Sequence, residues 1–194
     1  MSELYLSRLI VPLETALQSN RRTCYDWHKF IWDVLPERVD AKRDFLFRVD
    51  VKERQVIVML LSAIPPRAES KFETKRIAAS FLGHDAYRFE LRANPTFRRI
   101  SDKRRIPIYN PVDLDQWFRR KLADIGCEVL SIDIDHPHDE IFTKDGKRGK
   151  HVSANARGVL KVKDAARFAE GFQNGIGHAK GFGFGLLMLQ PVVL

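Results

Sequence analysis

The stretch Gly175-Ile-Gly-His-Ala-Lys-Gly-Phe-Gly-Phe-Gly185, followed by Leu-Leu-Met-Leu, joins a predicted helix over 164–174 to a predicted strand over 182–193. Its five glycines in eleven residues cost conformational entropy on ordering, and they let backbone N–H groups approach a partner closely. Lys180 and His178 add charge within the run, so a polyanion is the expected partner. The apolar residues after the glycines indicate a strand that holds this glycine-rich loop against a core.

The predicted elements upstream of the loop repeat a similar order in each half of the chain. The first half contains, in order, strand Leu4–Val11, helix Tyr25–Leu35, strands Asp44–Val51 and Gln55–Ala63, and a strand that begins near Phe72. The second half contains strands Tyr87–Arg92 and Ile106–Tyr109, a helix capped by Asp113 and ended by Gly126, strands Glu128–Ile134 and Val152–Val162, and the helix and strand around the glycine-rich loop.

Both orders approximate the split βαβ pattern. The sequence therefore predicts an α+β fold with two tandem ferredoxin-like (RRM-like) βαββαβ domains, over residues 1–83 and 84–194. The polar segment 136–151 contains Gly146 and Gly149 and is predicted to be a mobile loop.

Charge and cysteine content limit the class of protein. Lys and Arg outnumber Asp and Glu by 33 to 25 in 194 residues, a net charge of +8, which favours an acidic partner such as nucleic acid, although a basic enzyme of another kind has the same balance. Cys24 and Cys127 are far apart without a CxxC pair, which argues against a disulfide framework or a zinc finger. There is no recognisable signal peptide or membrane-length apolar run, so we expect a cytoplasmic protein and no membrane partner.

Two basic segments are candidate contacts for nucleic acid. The denser one contains Arg98, Arg99, Lys103, Arg104 and Arg105. The other contains Lys144, Lys147, Arg148 and Lys150. A flexible basic loop can follow the phosphates of a nucleic acid, but charge runs are more often solvated surface.

The helix predicted over Tyr25–Leu35 places Tyr25, His28 and Trp32 in one stripe beside its apolar face. An imidazole at the margin of a core can keep a pKa near neutrality, as acid–base catalysis requires. A lone histidine on such a helix is more often structural, so the spacing alone leaves both interpretations open.

Two other patterns suggest different chemistry. The run Asp133-x-Asp135-His136-Pro-His138-Asp139-Glu140 has the ligand types of a divalent-ion site but no defined spacing, and we interpret it as solvated strand end and loop. The glycine-rich loop is not a dinucleotide fingerprint, because it leaves a helix and enters a strand. Its glycines either contact a ligand, through Gly175, Gly177, Gly181 and Gly183, or only permit tight helix–strand packing. We predict no metal and no cofactor.

Several short motifs occur together in one order along the chain. They are Tyr5-Leu-Ser-Arg-Leu, Tyr25-x-x-His28-x-x-x-Trp32 with Pro36, Arg43-x-Phe-Leu-Phe-Arg48, Ser62-x-x-Pro65, Phe89-x-Leu-Arg-Ala-Asn-Pro95 and Gly175-Ile-Gly-x-x-Lys180-x-Phe-Gly-x-Gly-Leu-Leu. In these motifs and their order the chain resembles the CasE endoribonucleases of type I-E CRISPR systems.

The resemblance implies a function and residue roles. The expected protein binds the repeat hairpin of CRISPR precursor RNA, cleaves at its 3′ base without a metal, and keeps the guide RNA as a subunit of the Cascade surveillance complex. His28 is the implied catalytic residue, and the 98–105 segment is the implied loop that contacts the stem. Tyr25, one turn before His28, either hydrogen-bonds the scissile phosphate, orients the attacking hydroxyl, or is an ordinary aromatic residue at the core boundary. Attack by the RNA's own 2′-hydroxyl would give a 2′,3′-cyclic phosphate and a 5′-hydroxyl. The alternative is a non-catalytic RRM-like RNA-binding scaffold.

Overall fold

A computed structural model describes residues 3–36, 43–144 and 146–193. The elements of its first unit are β1 (Tyr5–Pro12), α1 (Leu13–Gln18), α2 (Cys24–Val34), β2 (Phe45–Val51), β3 (Gln55–Ser62) and β4 (Glu73–Arg76). The strands form one antiparallel sheet in the order β2-β3-β1-β4. A 3₁₀ turn, Ala68–Ser70, occupies the connection from β3 to β4.

The second unit has a sheet of the same order with more elements around it. They are β5 (Ala86–Ala93), β6 (Thr96–Arg98), β7 (Arg105–Pro107), α3 (Pro111–Asp124), β8 (Cys127–Ile134), β9 (His138–Lys144), β10 (Lys147–Val162), α4 (Ala165–Asn174) and β11 (Leu187–Pro191). The sheet runs β11-β5-β10-β8, β9 extends from β10, and β6 pairs with β7. In each sheet the two central strands pair antiparallel: β3 with β1 in the first, and β5 with β10 in the second. This shared arrangement confirms the predicted α+β fold with tandem ferredoxin-like units.

Local sequence explains the position of α2. Thr23 accepts a hydrogen bond from the Asp26 amide, and the Asp26 carboxylate accepts one from the Thr23 amide, so the helix starts in a capping box. Trp27 and Ile31 are buried on one face, and Pro36 follows the last turn. The helix thereby rests on the sheet with its Tyr25 edge at the margin of the core.

The prediction of a mobile loop over 136–151 is wrong. Strand β9 pairs with the first half of β10 from Ser153 opposite His138 to Lys147 opposite Lys144. The segment is polar because most of its side chains are exposed, so its periodicity does not reveal the strands. The β9–β10 hairpin extends the second sheet instead.

Two smaller predictions also require correction. Asn110, not Asp113, caps α3, because its side chain accepts hydrogen bonds from the amides of Val112 and Asp113. The last strand begins at Leu187 rather than Phe182, since a 3₁₀ turn occupies Lys180–Phe182. Helix α1 was not predicted. No helix among the described residues is long and apolar enough to cross a membrane.

The two units share an apolar core at their contact. Leu46, Leu61 and Leu82 from the first unit belong to the same buried cluster as Leu91 and Ile176 from the second. A separate cluster fills the space between α2 and the first sheet. The glycine-rich loop, which follows α4, therefore lies at the seam between the units.

Candidate functional site

His28 is half-buried on α2 and its ring is held on several sides. The indole Nε1 of Trp32 donates a hydrogen bond to His28 Nε2 at 3.1 Å. The Tyr25 ring lies nearly parallel to the imidazole, with centroids 6.2 Å apart. Phe45 and Phe47 of β2 support the ring from the sheet, at 5.6 and 6.0 Å. The spacing of the stripe thus gives an oriented imidazole at the margin of the core, as predicted.

The glycine-rich loop packs against this helix edge. A Cβ built on Gly181 would lie 3.7 Å from His28 Cε1, and one on Gly183 would lie 3.5 Å from Cys24 Sγ. Phe182 stacks on Tyr25 with ring centroids 5.8 Å apart. The fold therefore brings together two predicted parts of the site that are about 150 residues apart in sequence.

Some glycines of the loop have a folding role. The amides of Gly175, Gly183 and Gly185 donate hydrogen bonds to the carbonyls of Gly171, Lys180 and Arg92. Gly175 has a φ of +75°, and a Cβ there would lie 2.6 Å from a methyl group of Leu46. The part of the loop that faces His28 is the segment around Gly181.

The charged residues of the loop lie in a basic environment. Lys180 Nζ donates a hydrogen bond to the Asn174 carbonyl at 2.6 Å, and burial, with a smaller contribution from Arg43, lowers the pKa of its ammonium. Burial also lowers the pKa of His178, with contributions from Arg105, Lys121 and Lys180. Arg43 was not among the predicted site residues. Its place in the Arg43-x-Phe motif, just before β2, is the sequence signal that could have identified it.

The basic segment 98–105 is an ordered hairpin whose side chains are exposed. Arg98 pairs with Arg105 across β6 and β7, and Lys103 lies in the turn with a positive φ. Asp102 forms an ion pair with Arg99 at 2.6 Å and lies 3.7 Å from Arg104. One carboxylate therefore offsets part of the charge of five basic residues, and the surface stays strongly positive.

Trp117 of α3 connects this β6–β7 hairpin to the glycine-rich loop. Its Nε1 donates a hydrogen bond to the Thr96 carbonyl at 3.1 Å. A Cβ on Gly177 would lie 3.2 Å from its ring. Because one buried indole supports both segments, the β6–β7 hairpin and the loop are held on the same side of the second unit.

The second basic segment belongs to the β9–β10 hairpin. Lys147 and Arg148 are exposed near its tip, and Lys150 pairs with Asp139 at 2.9 Å. The side chain of Lys144 lies outside the described residues.

The acidic segment 133–140 is engaged with basic side chains. Asp133 and Asp135 both pair with Arg157, at 2.8 and 3.2 Å. Glu140 pairs with Arg92, and His138 lies 3.6 Å from the same carboxylate. No group of three or more His, Cys, Asp or Glu residues in the described part of the chain has the geometry to hold a metal ion.

Comparison with known proteins identifies the family. A family model described as CRISPR associated protein matches residues 4–191. The CRISPR system Cascade subunit CasE of Escherichia coli K12 is 31% identical over 206 residues, which cover 97% of this chain and all of that protein. The chain belongs to the CasE family. Membership confirms the resemblance inferred from the ordered motifs.

More distant CasE relatives agree over the same length. The CRISPR-associated endoribonuclease Cse3 of Thermus thermophilus is 24% identical over 211 residues, with 97% of this chain and all of that protein covered. A structure of Thermus thermophilus Cse3, bound to an RNA representing a pre-cleavage complex, superposes with a TM-score of 0.83 at 21% identity and covers 97% of this chain and 100% of that one. The superposition confirms the fold.

Proposed function

We propose that this CasE-family chain is an endoribonuclease that binds the repeat hairpin in CRISPR precursor RNA and cleaves at its 3′ base. The observation that carries the proposal is the imidazole of His28, held beside Tyr25 and facing Gly181 of the glycine-rich loop. The activity in the name of the Thermus relative, an endoribonuclease, agrees with it.

The reaction that we propose needs no external nucleophile. The 2′-hydroxyl of the nucleotide before the cut attacks the adjacent phosphorus, its proton leaves, and the bond from phosphorus to the 5′-oxygen breaks as that oxygen takes up a proton. The products are a 2′,3′-cyclic phosphate and a 5′-hydroxyl. His28 carries one of the two protons, and the Tyr25 hydroxyl orients the scissile phosphate. This route needs no metal ion.

The RNA contacts that we propose lie in the second unit. Backbone amides between Gly177 and Gly181, with the Lys180 ammonium and the imidazole N–H of His178, contact phosphates near the cut. Arg98, Arg99, Lys103, Arg104 and Arg105 on the β6–β7 hairpin follow the stem backbone. Gly175 and Gly183 keep the loop in shape, since their amides are bonded within the protein.

Further parts of the proposal concern the assembled protein. Because the Escherichia coli relative is named a Cascade subunit, we propose that this chain retains the cleaved guide RNA and joins other Cascade subunits. The proposed domains are residues 1–83 and 84–194, and the boundary lies between β4, the last strand of the first unit, and β5, the first strand of the second. A cytoplasmic location remains a prediction.

A non-catalytic RNA-binding scaffold would use the same loops and the same positive surface. It would not need an imidazole and a phenol stacked against the loop that approaches the phosphates. The paired rings of Tyr25 and His28 therefore favour the enzyme over the scaffold.

The test uses a repeat-hairpin RNA from the CRISPR array of the source organism. One sample has excess EDTA, and another carries a 2′-deoxy nucleotide just 5′ of the scissile phosphate. We expect cleavage to persist in EDTA, and to vanish on the deoxy RNA while its binding is retained.

Two results would contradict the proposed mechanism, and a third would contradict the activity. Cutting of the deoxy RNA would exclude attack by the 2′-hydroxyl. Arrest by EDTA that added Mg²⁺ reverses would indicate a metal-activated water and return attention to Asp133, Asp135, His136 and His138. Tight binding without any cleavage would support the scaffold.

A further inference from the structure

We infer that the β9–β10 hairpin positions the candidate active site, because Phe142 and His151 hold Phe182 of the glycine-rich loop against Tyr25. This inference rests on the proposed endoribonuclease function. It gives a role in the chemical step to a segment that lies outside both the His28 stripe and the proposed stem-binding residues.

Phe182 lies within a group of aromatic rings contributed by three elements. Its centroid is 4.4 Å from that of Phe142 on β9 and 4.7 Å from that of His151 on β10. Phe142 and His151 also stack on each other at 4.6 Å. On another side, Phe182 stacks on Tyr25 at 5.8 Å. The position of the Phe182 ring, and with it the loop next to His28, therefore depends on the hairpin.

Gly149 makes this arrangement possible. It lies directly opposite Phe142 in the β9–β10 register, and a Cβ at this position would overlap the far edge of the Phe142 ring. The ring thus covers the backbone of the opposite strand and reaches sideways to His151, a packing that only glycine permits. In the sequence Gly149 resembles a turn residue, but in the structure it leaves the space that the Phe142 ring occupies.

His151 takes part as a neutral ring. Asn94, which is 5% exposed, places its side-chain nitrogen 3.2 Å from His151 Nδ1, and Phe184 meets the ring edge at 5.8 Å. The other ring nitrogen, Nε2, is buried and has no hydrogen-bond partner among the described residues. Burial lowers the pKa of this imidazole against a smaller opposing effect of Glu140. A neutral, enclosed imidazole packs as an aromatic ring.

The base of the β9–β10 hairpin is tied to both units. Glu140 on β9 forms an ion pair with Arg92 of β5. Arg92 also donates a hydrogen bond to the Val49 carbonyl of β2 at 2.6 Å, and its own carbonyl accepts one from the Gly185 amide at 2.8 Å. Because these side chains are largely buried, the hairpin has a fixed position relative to α2 and to the end of the glycine-rich loop.

The expected consequence concerns the rate of cleavage more than binding. If the Phe142 ring is lost or displaced, Phe182 and Tyr25 lose their support while the exposed cations of the β6–β7 hairpin are untouched. A displacement of about 1 Å at a reacting centre costs up to roughly 100-fold in rate. RNA affinity should change little, because most of the proposed phosphate contacts lie on the β6–β7 hairpin, which these changes leave in place.

The experiment compares four variants of the full chain with the wild-type protein. Phe142→Ala removes the ring, Gly149→Ala displaces it without deleting any atom, and Phe142→Leu restores most of its volume. Thr143→Ala, on the same strand and exposed, is the matched control. For each protein we would measure thermal unfolding, hairpin affinity and the cleavage rate at saturating protein. We expect rates about 10- to 100-fold lower for Phe142→Ala and Gly149→Ala, a partial recovery in Phe142→Leu, and affinities unchanged within about twofold.

The possible failures are distinguishable. The positioning role would be overturned if folded Phe142→Ala protein cleaves within about twofold of wild type and folded Gly149→Ala or Phe142→Leu protein does so too. The proposed function would then remain intact. Equal losses of affinity and rate would also overturn it, because they would indicate general destabilisation. If Phe142→Ala does not fold, the Gly149→Ala and Phe142→Leu rates decide the result. A wild-type protein that binds but does not cut overturns the proposed function and this inference together.

Discussion

The two units share one kind of antiparallel sheet but differ in what surrounds it. In the first unit a 3₁₀ turn occupies the connection before β4, and α2 carries His28 and Tyr25. The second unit has two full helices, two additional hairpins and the glycine-rich loop. In our account the first unit supplies the reacting groups and the second supplies the RNA contacts. Two similar sheets can therefore share one site, because the glycine-rich loop of the second unit packs beside His28 of the first.

The largest expected effect tests the catalytic role of the first unit. We expect His28→Ala to slow single-turnover cleavage by roughly 10²- to 10⁴-fold, as for loss of a general acid or base, with hairpin affinity nearly unchanged. His136→Ala is the control, because His136 is exposed and belongs to the alternative metal segment. A folded His28→Ala protein that cleaves normally would remove this residue from the mechanism.

The next effect concerns the seam between the units. Gly175→Ala and Gly146→Ala both place a side chain at a positive φ, +75° and +73°, but only the first meets a neighbour, Leu46. Each should lose about 1–2 kcal/mol of unfolding free energy to backbone strain, and Gly175→Ala about 1–3 kcal/mol more to overpacking. Urea unfolding measures both. Equal losses would mean that the seam tolerates the added methyl group.

A smaller effect is expected on RNA affinity. Replacing Arg104 and Arg105 by Ala should weaken hairpin binding and flatten the plot of log affinity against log salt by about one unit per lost phosphate contact. The matched control is Lys52→Ala with Arg54→Ala, which removes two exposed cations from the β2–β3 turn of the first unit. If both pairs flatten the slope equally, the RNA contacts are not confined to the second unit.

The smallest effect is a pH dependence of stability. The pKa of His151 is lowered in the folded protein, so below its ordinary value of about 6.5 the unfolded chain binds more protons, and stability falls as the pH falls. His151→Gln should lose less stability than wild type between about pH 7.5 and about pH 5.5. Urea midpoints at both pH values would show it, and parallel losses in the two proteins would contradict the assignment.

Elements with strong local signals were predictable. The apolar face of α2, the alternation of β5 and the stop at Pro36 depend on neighbouring residues, and the structure contains them near the expected positions. The place of His28 at a core margin follows from the same periodicity. Its assignment as catalytic required the family motifs, since spacing alone fits a structural histidine equally well.

Features that depend on distant partners were not predictable. Phe142 resembles part of a polar loop because its partners, Gly149, His151 and Phe182, are recognised only after the sheet forms. The sequence predicts Asp113 as the cap of α3, whereas Asn110, which directly precedes Pro111, accepts the capping hydrogen bonds in the structure. That Lys180 bonds a helix carbonyl rather than extending freely depends on how the loop turns back on α4.

The most direct test of the divided site is a crystal structure of the wild-type protein with the 2′-deoxy repeat hairpin. We predict that the scissile phosphate lies between His28 and the Gly177–Gly181 segment, within about 3 Å of the imidazole or one water from it, and that the stem lies along the β6–β7 hairpin. A phosphate found instead in the cleft lined by Arg48, Arg88 and Arg157, away from α2, would contradict it.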